Sequence, residues 1–93
     1  MVTREQIEEA LDSIHNIPYQ AENIDYEAIV IALLRERIPY GECPNIISGA
    51  EFDVILLCEV YKAAPYLTEE NLMILADCNC FINEETDCLA VYV

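Results

Sequence analysis

The sequence predicts a mainly α, α+β domain: a compact four-helix unit over residues 1–93, closed by a short C-terminal β-hairpin. Three observations predict it. Capping patterns at Thr3, Ser48 and Thr68 each precede an apolar run, as helix starts do. Pro39 and Pro65 end such runs. Two apolar segments then flank the polar stretch Asn83-Glu84-Glu85-Thr86-Asp87, as hairpin strands flank a turn.

Thr3 with Gln6 forms a capping-box pair, and Ile7, Ala10, Leu11 and Ile14 recur at helical spacing, so helix 1 is expected from about Arg4 to His15. Asn23 is a good N-cap, with Asp25 and Glu27 in the first turn of helix 2. The apolar run Ala28–Leu34 leaves no polar stripe before Arg35 and Arg37, so helix 2 is expected to be buried on most sides and to stop before Pro39. Ser48 with Glu51 is the best capping box of the chain, with Ile47 and Phe52 placed as a hydrophobic staple, and helix 3 is expected from there to Pro65. Thr68 caps helix 4, with Glu69 and Glu70 at its positive end and Leu67 and Leu72 as the staple; it covers Leu72 to about Cys78.

Periodicity alone does not separate helix from buried strand for Ile29–Ile31 or Val54–Leu57; caps and lengths favour helix. The hairpin, Cys80–Ile82 with Cys88–Val93, needs a helix surface, because two strands alone are marginal. Ile17-Pro18-Tyr19, Ile38-Pro39-Tyr40 and Ala64-Pro65-Tyr66 look alike, but their spacing is unequal, which favours proline as an independent helix stop over a true repeat.

The chain is 55% apolar, enough for a core, and its longest apolar runs are far too short for a bilayer span. With no basic and apolar leader pattern at the start and an odd set of cysteines, a cytoplasmic location is expected, with reduced thiols (host cytoplasm for a phage-encoded chain). Eighteen acids against four bases give a formal charge of −14. That charge excludes nucleic acid and anionic membrane as direct ligands and calls for a basic partner.

Glu5, Glu8, Glu9 and Asp12 lie opposite the apolar stripe of helix 1. Along a helix axis they fall about one per 3.5 Å. A DNA strand carries one phosphate per about 3.4 Å. This match suits carboxylates that occupy arginine and lysine sites built for phosphate, although a solvated helix face explains the same row. Further acids group at Glu22, Asp25 and Glu27, at Glu69 and Glu70, and at Glu84, Glu85 and Asp87. Helix first turns and a polar turn account for each group singly. They do not account for a surface with only Arg4, Arg35, Arg37 and Lys62 as bases.

Asp77, Asn79, Asn83 and Glu85 do not make a calcium loop of the EF type, since Ile82 and Cys88 stand where it needs glycine and glutamate. Cys78, Cys80 and Cys88 lack the usual zinc spacing and read as buried hydrophobes. One histidine, two glycines and no nucleophile beside a base give no catalytic constellation, so no catalytic residue, metal or cofactor is expected.

In size, charge and lack of catalytic apparatus the chain resembles phage-encoded nucleic-acid mimics, including anti-CRISPR and anti-restriction proteins. This resemblance is compositional and implies a class, not binding residues. Glu22-Asn23-Ile24-Asp25 after Tyr19 is similar to a barstar-type segment, though its flanks depart from that pattern. The expected function is therefore a non-catalytic inhibitor of a basic nucleic-acid-handling complex or nuclease. The expected contacts are Glu5, Glu8, Glu9, Asp12, Glu69, Glu70, Glu84, Glu85 and Asp87. Two alternatives stay open. One is an immunity protein or antitoxin with a compact acid and tyrosine hot spot from Tyr19, Tyr40 and Tyr66; the other is an adaptor held by apolar contacts, a homodimer included.

Overall fold

A computed structural model describes residues 1–12, 25–51 and 53–92, except for the side chains of Asp12 and Glu51. Helix α1 (Arg4–Asp12) starts at the expected box: the Thr3 amide donates to Gln6 Oε1 at 2.9 Å, and the Gln6 amide donates to Thr3 Oγ1 at 3.1 Å. Ile7 and Leu11 enter the core from it, with Ala10 half-buried beside them. Residues 13–15 of the expected helix, Asn23 as a cap, and the first Pro-Tyr junction lie outside the described residues.

Helix α2 (Tyr26–Arg37) is capped by Asp25, whose carbonyl accepts from the Ala28 and Ile29 amides. Ile38 ends it in an extended conformation (φ −94°, ψ 123°), as the residue before Pro39 must. Contrary to the expected burial on most sides, α2 buries one stripe, Val30 and Leu34, while Ile29 stays exposed. Its C-terminal loop is held by Arg35, which donates to the carbonyls of Ile38, Cys43 and Pro44 at 3.0–3.1 Å and lies under the Tyr40 ring.

The expected helix 3 is overturned. Ser48 caps nothing: its amide donates to the Leu56 carbonyl at 2.9 Å and its hydroxyl to the Leu57 carbonyl at 2.7 Å. These bonds lead into an antiparallel pair, β1 (Gly49–Glu51) with β2 (Val54–Glu59). Of the expected staple, Ile47 is exposed and Phe52 lies outside the described residues. Only Val60–Ala63 is α-helical (α3), followed by a 3₁₀ turn, Ala64–Tyr66, around Pro65.

Helix α4 (Glu69–Asp77) has a complete capping box, Thr68 exchanging bonds with Asn71. Leu67 and Leu72 are both buried. Its C-terminus is a Schellman motif: the Cys80 amide donates to the Leu75 carbonyl and the Asn79 amide to the Ala76 carbonyl. Asn79 sits at the left-handed position of that motif, φ 61°.

The expected hairpin is present as β3 (Phe81–Asn83) and β4 (Cys88–Tyr92), but it is not a satellite of a helical bundle. β4 pairs with β2, giving a four-stranded antiparallel sheet in the order β1-β2-β4-β3. The fold is a mixed α+β sheet-and-helix domain, not a four-helix domain with a short hairpin. The physical reason is tertiary: β2 is a central strand, and a run such as Val54–Cys58 can be apolar throughout because both sheet faces demand it.

The register sorts the faces. Leu56 pairs with Ala90 and Glu59 with Cys88, so β2 carries one extra residue, a bulge. Leu57 and Cys58 at the bulge both join the core, together with Leu89 and Val91 and, partly, Ile55 and Ile82. On this face α1 packs against β3 and α4, and α2 against β4 and α4. All five cysteines are free and buried. Burial pushes the Cys58 thiol up to about 12, with the neighbouring Cys43 adding to the shift, and burial raises Cys78 and Cys80 as well.

Candidate acidic interface

The capping box that starts α1 fixes the first turn, and that turn carries both residues that gather the acids. Arg4 pairs with Glu8 one turn on, at i,i+4 spacing, and with Asp87 in the β3–β4 turn. The Asp87 bond is the largest contribution raising the Arg4 pKa, with Glu84 adding to it. Gln6 Nε2 donates to Glu69 Oε1 at 3.3 Å, which joins the start of α1 to the start of α4.

The β3–β4 turn is built to hold this position. Asn83 Oδ1 accepts from the Glu85 and Thr86 amides, an Asx-type turn, and Asp87 closes it at φ 55°. The Asp87 carbonyl accepts from the Val60 amide at 2.9 Å, anchoring the turn to α3.

Three acid groups that are far apart in sequence therefore meet at one end of the molecule. Glu8, Glu84 and Asp87 surround Arg4, and Glu69 reaches α1 through Gln6. Glu5, Glu9, Glu70, Glu84 and Glu85 are exposed and make no ion pair within 4.0 Å among the described residues. The Asp12 side chain lies outside the described residues. Of the other bases, Arg35 serves backbone carbonyls, and Lys62 pairs with Glu59 at 3.8 Å.

The remaining candidates separate. Tyr40 is exposed beside Arg35, Tyr66 packs half-buried against the core, and Tyr19 lies outside the described residues. Asn79 is buried and Asn83 serves its own turn, so both are committed to backbone geometry. Among the described residues no three acid, cysteine or histidine side chains are gathered so as to hold a metal ion. Sequence reasoning missed the two connectors, Gln6 to Glu69 and Arg4 to Asp87, because each closes across the whole fold and leaves no local signal. It also missed the stack of Phe81 on Tyr92, with centroids 4.7 Å apart, which follows only from the β3–β4 register.

No family model, no curated protein and no solved structure matches the chain. No described helix is long and apolar enough to cross a membrane.

Proposed function

We infer that the protein is a non-catalytic inhibitor that binds a basic, nucleic-acid-handling protein through the acidic end formed by α1, the N-terminus of α4 and the β3–β4 turn. The observation that carries this reading is the convergence of Glu8, Glu84 and Asp87 on Arg4 and of Glu69 on Gln6, with Glu5, Glu9, Glu70 and Glu85 exposed on the same three elements. Exposed like charges repel one another, and nothing in folding calls for gathering them. A surface of lysines and arginines built for phosphates relieves that repulsion, and carboxylates accept from guanidinium groups in the same forked geometry as phosphate oxygens do.

The test starts from a nucleic-acid-binding partner captured on the immobilised protein. Its affinity is measured over a salt series and in competition with the partner's own nucleic acid. Affinity that falls steeply with salt, together with mutual exclusion of the nucleic acid, supports the reading. Salt-insensitive binding, or a ternary complex that retains the nucleic acid, contradicts it.

A further inference from the structure

Helix α4 has an outer face that continues from the acidic end. Its exposed residues are Glu69, Glu70, Met73, Ile74 and Asp77, and at about 100° per residue they fall within an arc of about 140°. Met73 is 68% and Ile74 41% exposed, while Asn71, Leu72 and Leu75 on the other side are buried. Glu69, held to α1 through Gln6, joins this face to the acidic end.

Helical spacing sets the carboxylates against the two apolar side chains. Glu69 stands four residues before Met73 and Asp77 four residues after it; Glu70 stands four before Ile74 and Asp77 three after it. Residues so spaced are neighbours on a helix, with Cβ atoms about 5–6 Å apart. Helix α4 carries no lysine or arginine, and none of its three acids makes an ion pair within 4.0 Å among the described residues. The helix dipole accounts for Glu69 and Glu70 in the first turn. It does not account for Asp77, the last residue of α4, which stands at the end where a carboxylate is disfavoured.

The local charges say what fits. A second copy does not, because a two-fold contact sets the same patch against itself and brings the carboxylates of both copies together. A wholly polar cationic surface pairs with the acids but leaves Met73 and Ile74 uncovered. A surface that sets an apolar side chain among lysines or arginines answers both.

We propose that Met73 and Ile74 form an apolar contact point, rimmed by Glu69, Glu70 and Asp77, for an apolar side chain that stands among the lysines and arginines of the basic partner. The contact rests on the acidic-interface reading and extends it along α4 as far as Asp77. It adds a part of the affinity that salt does not screen, since ionic strength weakens ion pairs between exposed charges and leaves apolar burial in place.

The probes are two synthetic peptides of equal length and equal positive charge, one of lysine and leucine, the other of lysine and serine, titrated into the full chain at several salt concentrations. The wild type is expected to bind the lysine–leucine peptide about tenfold more tightly, and to keep that margin as salt weakens both. The double variant Met73→Ser with Ile74→Ser, checked for native circular dichroism, is expected to lose the margin while binding the lysine–serine peptide as the wild type does. Met73→Ala stands in if the double variant does not fold, and is expected to lose about half of the margin on a logarithmic scale. Ile29→Ser changes an apolar residue of similar exposure on α2, 43%, and is expected to keep the margin. Asp77→Asn is expected to bind both peptides about threefold more weakly. Equal binding of the two peptides by the wild type, a margin that survives the α4 variants or is lost in Ile29→Ser, or unchanged binding by Asp77→Asn overturns the proposal and leaves the acidic interface standing. Failure of the wild type to bind either peptide overturns both. A wild-type dimer that the double variant dissolves assigns the face to a second copy and also overturns the proposal.

Discussion

Arg4 and Asp87 are joined as an ion pair across almost the whole chain, and Arg4 holds Glu8 with the same guanidinium. The pair locks the N-terminal helix to the β3–β4 turn and sets a base among the acids of that end. Its two roles oppose each other, since it orders the acids and also neutralises part of their field. Arg4→Gln is therefore expected to tighten binding to a basic partner at low salt, with a melting temperature only slightly lowered, because exposed pairs contribute little to stability. Isothermal titration paired with thermal denaturation checks both parts; weaker binding in Arg4→Gln would show that order at this end matters more than charge.

The second prediction concerns the sheet. Leu57 is fully buried at the bulge of the central strand, so Leu57→Ala is expected to cost about 2–5 kcal/mol. Met73 on α4 is an exposed residue of similar size, and Met73→Ala is expected to stay within about 0.5 kcal/mol. Urea denaturation of the two variants reads the difference directly. Had Val54–Leu57 been a helix, the amides of β2 would not show the cross-strand contacts to β4 that nuclear Overhauser spectra will report.

Asn79 makes the third prediction. It occupies a left-handed position at φ 61°, and its buried Oδ1 has no hydrogen-bond partner among the described residues. Glycine adopts that conformation without strain and alanine does not, so Asn79→Gly should be more stable than Asn79→Ala by about 1 kcal/mol. Equal stabilities of the two variants in chemical denaturation would contradict the Schellman assignment.

The fourth prediction is an alkaline limit. The Cys58 thiol, pushed up from 9.0 to about 12 chiefly by burial, keeps its proton in the folded state at pH values where the unfolded chain has released it. A raised folded pKa contributes stability that is complete below about 9 and is lost as pH rises toward about 12. The loss is about 1.4 kcal/mol per pH unit for the thiol concerned. Denaturation midpoints measured from neutral pH upward should fall through this window, and less steeply in Cys58→Ala; identical slopes would mean that Cys58 is accessible in the folded chain. All five thiols should also react slowly with a thiol reagent until the chain is unfolded.

Legibility followed the range of the interactions. The capping box at Thr3, the cap at Thr68, the stop at Pro39 and the Asn83–Asp87 turn are settled by neighbours a few residues away, and all were readable in the sequence, though the return bond from Asn71 that completes a box at Thr68 was not. Ser48 with Glu51 carries the same local signal as those boxes, yet Ser48 bonds to Leu56 and Leu57 across a strand pair. The outcome there depends on β4, about 40 residues later, which the local pattern does not contain. The acids themselves were legible as charge groups on α1, α4 and the turn. Their convergence was not, because it depends on Gln6 meeting Glu69 and Arg4 meeting Asp87.

The most direct test of the acidic interface uses exposed carboxylates that make no ion pair within 4.0 Å among the described residues. Glu5, Glu9, Glu70, Glu84 and Glu85 are exposed and uninvolved in the core, so reversing all five to lysine should leave the circular dichroism spectrum native. The measurement is the displacement of nucleic acid from the captured partner by the wild type and by this variant at equal concentration. Wild-type displacement that is abolished in the variant is the predicted result; displacement by the variant undiminished from wild type would contradict the account.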